Sequence, residues 1–238
     1  MFANMYSKLQ LETLKAAFTV TIPVLFGYIS TGIAFGLLLN GLGYSWVIAP
    51  IMSALIYAGA IQFIAINFFI NNISFMEIAI ISLLVNFRHA LYGLSLFDKF
   101  NATGNIRPYM IFSLTDETYA LLATLKEPEG IDNRKFYFYI AILNQFYWVA
   151  GSLIGAIAGN FITISTKGLD FALTALFIVL LLEQFKSFNT RIPFLIGGFC
   201  AIFSSLLIGK ENMLLLSVLS SILILLLFKK RVEKNEYN

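Results

Sequence analysis

A chain of 238 residues in which 59% are hydrophobic and only 12% charged carries about half the charge of an ordinary soluble domain, ~25%. With 16% aromatics and a mean hydropathy of +0.82, that ratio excludes a disordered chain, a coiled coil, collagen and a soluble enzyme domain. The net charge of +3 sits mostly near the chain ends and gives no footprint for nucleic acid, and the single Cys200 allows neither an internal disulfide nor a cysteine metal cluster. The expected fold is therefore all-α and polytopic, with the lipid bilayer as its solvent.

A helix needs ~20 mostly apolar residues to cross ~30 Å of hydrocarbon. Residues 16–39 meet that length and keep Pro23, Gly27, Gly32 and Gly36 in one apolar run. The run is too long for a signal-peptide core, so it is expected to remain as the first span, after a short N-terminal segment 1–15. Residues 46–70 form the second span, and residues 73–96 a third that carries Arg88 and His89 inside it. Residues 109–125 are short and have Asp116 and Glu117 at their middle, which predicts a broken or re-entrant helix, or an interfacial one. Residues 136–161 are a long span, and 169–185, 192–208 and 213–228 are shorter ones. The total is seven transmembrane helices, or eight if 109–125 crosses. Continuous apolar runs, without period-two alternation, favour helices over barrel strands.

Either count puts eleven basic residues on one side and four on the other, with Arg88 inside a span. Both place the basic C-terminal tail 229–238 in the cytoplasm. Eight spans bring Lys8 and Lys15 to the same side, whereas seven place them opposite. The polar link 126–135, with Pro128 and Gly130, divides the chain roughly in half and suits a joint between two structural repeats, although the halves share no sequence similarity. The whole of 1–238 reads as one transmembrane transport domain of the cell membrane.

An ionisable group at mid-membrane costs ~2.5–3.5 kcal/mol on the most lenient scale, so each one needs a reason. In Asn86-Phe87-Arg88-His89, Asn86 and His89 are helical neighbours and Arg88 lies beside Tyr92. The group either lines a cavity, with Arg88 fixing a carboxylate and His89 exchanging a proton, or snorkels to the headgroups from a helix end. His89 is the only histidine and builds no histidine metal site. In Thr115-Asp116-Glu117-Thr118 the two carboxylates point ~100° apart on a regular helix and cannot serve one ligand together. Either they face different partners or the backbone is unwound there; they are the candidates for proton or cation handling. Gly59 precedes Gln62 by three residues, a pairing that suits either close approach of a ligand or a plain helix–helix hydrogen bond. Gly151, Gly155 and Gly159 make a small-residue face for helix packing. Glu77, Asp98, Asp170 and Glu183 lie near segment ends and read as structural.

No motif of a hydrolase, zinc protease, prenylated protein or nucleotide-binding loop is present. The chain reads as non-enzymatic, without cofactor or metal, and any energy source is an ion gradient, a substrate gradient or another subunit. Pro23 with Gly-Ile-Ala-Phe-Gly (32–36), Tyr-Ala-Gly-Ala-Ile-Gln-Phe (57–63), Val-Asn-Phe-Arg-His-Ala-Leu-Tyr-Gly (85–93), Leu-Thr-Asp-Glu-Thr-Tyr (114–119), Trp148 and Gly-Leu-Asp-Phe-Ala-Leu-Thr-Ala-Leu-Phe (168–177) follow one another in an order that resembles the branched-chain amino-acid permeases of the azaleucine-resistance (AzlC-like) type. The resemblance covers roughly residues 15–210. It implies the large subunit of a two-component exporter of leucine, isoleucine, valine or similar apolar amino acids such as methionine. The implied partner is a small AzlD-like membrane subunit of about four helices, and the implied drive is an ion gradient. Its most specific neighbourhoods fall on Gln62, Asn86–His89 and Asp116–Glu117. A channel for small solutes and an intramembrane enzyme are the alternatives; the one needs rings of like residues, the other paired catalytic groups.

Overall fold

The computed structural model describes residues 2–71, 73–101, 103–125, 127–128, 130–161, 190–208 and 213–227, with residues 178, 181–182 and 185–186. The expected span 169–185 with Asp170, as well as Glu183, Lys126, Lys167, Lys210 and the basic tail, lies wholly or mostly outside these residues. Two compact units are present, one of Met1–Asn72 and Val85–Leu169, the other of Ile73–Leu84 and Asp170–Asn238. Among the described residues, three helices are long and apolar enough to cross a bilayer: Gln10–Gly41, Phe75–Ser95 and Asn133–Gly159.

The first unit is organised by two long helices, α1 (Phe2–Gly41) and, later in the chain, α8 (Asn133–Gly159). α1 starts at Phe2, so the N-terminal segment 1–15 is helical from Phe2 and runs into the apolar stretch without a break. Serines and threonines inside α1 cause no break, since their hydroxyls return to the helix's own carbonyls: Ser30 to Phe26 at 2.7 Å and Thr31 to Gly27 at 2.8 Å. At the start of α8, Asp132 is the N-cap and accepts from the Arg134 and Lys135 amides at 3.1 and 3.4 Å.

The two helices pack backbone to backbone. A Cβ on Gly32 would come within 3.0 Å of the Ser152 amide, one on Gly151 within 2.8 Å of the Ile29 carbonyl, and one on Gly36 or Gly155 would overlap the Ser152 and Ile33 carbonyls. Lipid tails are as apolar as leucine, so burial alone does not drive helices together in a bilayer; close contact between small residues does. Outward-facing Phe26, Phe146 and Ile154 are exposed, as a lipid-facing surface requires.

Between the long helices in chain order come α2 (Ile48–Leu55), α3 (Gly59–Asn71), α4 (Phe75–Ser95), α5 (Phe97–Asn101), α6 (Arg107–Phe112) and α7 (Asp116–Thr124). The expected single span 46–70 is thus two helices. The chain breaks at Tyr57, whose φ of +45° is incompatible with continuing a right-handed helix. Residues 109–125 also break: α6 stops at Phe112 and α7 starts afresh after Thr115, which is extended (φ −102°, ψ 175°) and caps the Thr118 amide at 3.3 Å. Ala17, Leu96, Phe100, Met110, Leu122, Phe136 and Ile140 form the apolar core that holds this second break.

In the second unit α9 (Ile192–Ile208) packs against α10 (Met213–Leu227), with Cys200 buried. Arg191 lies over the Phe185 ring at 5.0 Å.

Candidate functional site

The first break is closed by a neutral network. Gln62, fully buried in the first turn of α3, donates to Ser53 of α2 at 3.0 Å and accepts from the Trp148 indole of α8 at 2.8 Å. Ser53 meets Ser152 at 2.6 Å, and Ser152 donates to the Trp148 carbonyl at 2.8 Å. Gln145 donates to the Ala54 carbonyl at 3.0 Å, satisfying one acceptor that the end of α2 leaves open. Gly59 packs against the Trp148 ring, where a Cβ would approach to 3.2 Å. Gln62 and Gly59 therefore hold the interrupted helix to α8, with the tryptophan in the space the glycine opens.

The second break carries the charge. Arg88 of α4 reaches Asp116, the first residue of α7, with Nη1 to Oδ2 at 2.8 Å and both side chains about one-third exposed. The pair places a carboxylate at the positive end of a helix and supplies it with a cation. It is only half made. Arg88 Nε, Asp116 Oδ1 and Asn86 Oδ1 are enclosed and have no hydrogen-bond partner. His89 faces the same pair, with its ring 5.9 Å from that of Tyr92. Tyr92 stacks on Tyr119 of α7 at 4.2 Å and 9°, forming an aromatic wall beside Asp116.

Glu117 diverges from Asp116, as successive helical residues must, and turns towards α1. It is exposed, yet the Tyr28 hydroxyl donates to its Oε2 at 2.6 Å. Tyr28 also meets Thr115 at 2.6 Å, Thr115 donates to Thr118 at 3.0 Å, and the Asn144 amide of α8 donates to Thr118 at 3.0 Å. Tyr57 of the first break sits beside this chain, with its ring 6.4 Å from Phe112. The two breaks therefore meet.

Sequence reasoning singled out Asn86, Arg88, His89, Asp116 and Glu117, and α4 and α7 bring these together. It passed over Tyr28, Asn144 and Gln145. Tyr28 stands inside an apolar span as an ordinary aromatic, but Asn144-Gln145 inside an apolar run of α8 carries a readable signal, since an amide there needs partners. Among the described residues no group of three or more His, Cys, Asp or Glu is placed to hold a metal ion.

A model of the AzlC family, described as AzlC protein, matches residues 23–162, more than half of the chain. The chain belongs to the AzlC family. The AzlC match encloses both breaks, the Arg88–Asp116 pair and the glycine face at Gly151, Gly155 and Gly159. The chain is 41% identical over 223 residues to a membrane protein of Helicobacter pylori (strain ATCC 700392 / 26695), covering 94% of this chain and 98% of that one. It is 36% identical over 222 residues to the branched-chain amino acid transport protein AzlC of Bacillus subtilis (strain 168), covering 93% and 87%. It is 32% identical over 173 residues to the inner membrane protein YgaZ of Escherichia coli (strain K12), covering 70% and 71%. No solved structure matches. AzlC membership, these relatives and the long apolar helices identify a multi-pass membrane protein.

Proposed function

We propose that this chain is the large subunit of a secondary transporter that exports branched-chain amino acids, together with a small membrane partner of about four helices and at the expense of an ion gradient. The transport protein of Bacillus subtilis supports the substrate class. The half-made Arg88–Asp116 pair carries the reading. An amino acid is a zwitterion, and the unpartnered atoms complement one: the Arg88 Nε edge donates to its carboxylate, while Asp116 Oδ1 and Asn86 Oδ1 accept from its ammonium. Each enclosed polar atom without a partner costs about 1–3 kcal/mol, so a ligand that satisfies all three is favoured over an empty site. The Tyr92–Tyr119 wall supplies apolar surface for a branched side chain. Gly59 and Gln62 shape the pathway from behind by holding the first break, and His89 is the remaining group able to exchange a proton beside it.

Counterflow of labelled leucine in proteoliposomes, with and without the small partner, tests this reading. Leucine, isoleucine and valine inside the vesicles should drive uptake of the label, and their amides and deaminated acids should not, because each lacks one of the two charges. Equal counterflow with the amides would remove zwitterion recognition.

A further inference from the structure

The long helix α8 measures depth in the first unit, at ~1.5 Å per residue. α1 runs parallel to it: Ala17 shares a core with Phe136 and Ile140, Gly32 packs on Gly151, and Asn40 donates to Asn160 at 3.0 Å. The starts of α1 and α8 therefore lie at one end, and Gly41 and Asn160 at the other. α2 comes from the Gly41 end and reaches the middle of α8, where Ser53 meets Ser152 and Gln145 holds the Ala54 carbonyl. α3 begins at that depth, with Gly59 and Gln62 against Trp148, and turns back. The Phe63 ring lies 5.7 Å from Phe35, and the Phe69 ring 5.0 Å from Tyr44 in the turn between α1 and α2. The α2–α3 hairpin thus enters and leaves at the same end.

α6 and α7 do the same from the opposite end. A Cβ on Gly104, just before α6, would stand 3.7 Å from the Arg134 guanidinium; the Tyr109 ring lies 5.5 Å from Phe138 and its hydroxyl donates to Gln145 at 2.8 Å. α7 starts back where Asn144 donates to Thr118 at 3.0 Å. By its last turn the Leu122 carbonyl accepts from Lys99 at 2.8 Å, and beyond it Glu127 accepts from Tyr137. From Arg134 to Gln145 is about 16 Å along α8, half of the ~30 Å of hydrocarbon. Leu96, just after α4, shares the core of Ala17 and Phe136, whereas α3 ends beside Tyr44. The 21 residues of α4, about 31 Å long, make the crossing between these ends and bring Arg88 to the depth of Asp116.

We propose that α1 with the α2–α3 hairpin and α4 with the α6–α7 hairpin form an inverted repeat: the hairpins dip halfway into the membrane from opposite faces and meet where Tyr57 lies beside Phe112, and the α6–α7 hairpin, which carries Asp116, enters from the cytoplasm. Residues 46–70 then do not cross, and the joint of the repeats falls between Asn71 and Phe75 instead of at 126–135. Charge decides which face is which. Among the described residues of this unit Lys8, Lys15, Lys99, Arg107, Arg134 and Lys135 lie at the end where α8 starts, and no basic residue lies at the other. A crossing by 109–125 would part Lys99 and Arg107 from Arg134, and a crossing by 46–70 alone would part Lys8 and Lys15 from the rest. Re-entry of both stretches keeps all six together, as the cytoplasmic excess of lysine and arginine requires. Carriers built from inverted repeats bind their cargo at mid-depth between the repeats, on interrupted helices, and the half-made Arg88–Asp116 pair lies at that depth. As a substrate position this rests on the transport reading above; the hairpins do not depend on it.

The test is cysteine labelling of the full chain, made together with its small partner, in right-side-out and inverted membrane vesicles. The background is Cys200→Ser, and the probe is a maleimide that does not cross membranes. Single cysteines go to four exposed positions: Ser45→Cys and Asn71→Cys flank the α2–α3 hairpin, and Asn101→Cys and Glu127→Cys flank the α6–α7 hairpin. The first two should label in right-side-out vesicles and the last two only in inverted ones. Ile70→Cys and Asn105→Cys stand in where Asn71→Cys or Asn101→Cys does not reach the membrane. Ser45 and Asn71 on opposite sides would make 46–70 a crossing span and overturn the proposal. Asn101 and Glu127 on opposite sides would do the same through 109–125. All four on one side would deny the crossing by α4, and the two pairs with their sides exchanged would overturn the cytoplasmic entry of α6–α7. Labelling needs no substrate, so a chain that labels as expected and exchanges no leucine keeps the hairpins and loses the transport reading. A chain that exchanges leucine with Ser45 and Asn71 on opposite sides does the reverse.

Discussion

The two interrupted helices of the first unit are held in opposite ways. At Tyr57 the broken ends meet neutral partners: Gln62, Ser53, Ser152 and Trp148 join α2, α3 and α8, and Gln145 caps an open carbonyl of α2. At Thr115 the break presents two carboxylates, one arginine and three enclosed polar atoms with nothing to bind. Both breaks expose backbone polar groups inside an apolar layer, which a membrane tolerates only where protein or a cavity satisfies them. The first is satisfied by protein, apart from the buried Tyr57 hydroxyl, and serves as a scaffold. The second is left incomplete, which is the condition a ligand site needs.

The glycine seam that brings α8 against α1 underlies both breaks, so the largest effect is expected there. Gly155→Leu would drive a side chain into the Ile33 carbonyl and should abolish folded, monodisperse protein in detergent, with both breaks lost together. Gly27→Ala is the matching control on α1, since nothing lies within 4 Å of the added carbon, and its thermal stability should stay at the parent's level. A normal melting curve for Gly155→Leu would show that the seam is not what joins the helices.

A smaller effect separates scaffold from site. Gln62→Leu removes the acceptor of a buried indole N–H and should lower stability by ~1–3 kcal/mol, read as an earlier unfolding midpoint. Leucine, isoleucine and valine should keep their relative rates of exchange in this variant. A change of substrate preference would move Gln62 from the scaffold to the site.

The smallest effect on stability is expected at Arg88. Arg88→Lys preserves the charge beside Asp116 and should melt within ~0.5 kcal/mol of the parent. Its leucine exchange should nevertheless fall, because lysine lacks the second parallel donor that a substrate carboxylate would engage. Exchange equal to the parent's would mean that Arg88 serves Asp116 alone, and the second break would then resemble the first.

Much of this site is legible in the sequence. The cost of charge in an apolar layer isolates Arg88, His89, Asp116 and Glu117 without reference to a partner, and the divergence of adjacent carboxylates follows from helix geometry. Tyr28 and Tyr57 were not legible as site residues. An aromatic with a hydroxyl is unremarkable in a membrane chain, and its role depends on what stands opposite.

Local chemistry determined which stretches leave water, where threonine restarts a helix at Thr115, and which face of α8 is narrow enough for close packing, because hydropathy, capping and residue size act over a few neighbouring residues. The break at Tyr57 came only from the tertiary structure. Residues 46–70 carry no charge and read as one apolar run, and the partners that stabilise an interruption there, Trp148 and Ser152, are supplied by a helix much later in the chain. The pairing of Arg88 with Asp116, and the closing of Tyr28 onto Glu117, are likewise contacts between distant segments. A charge in the sequence states that a partner is needed; only the packing of α1, α4, α7 and α8 decides which one is within reach.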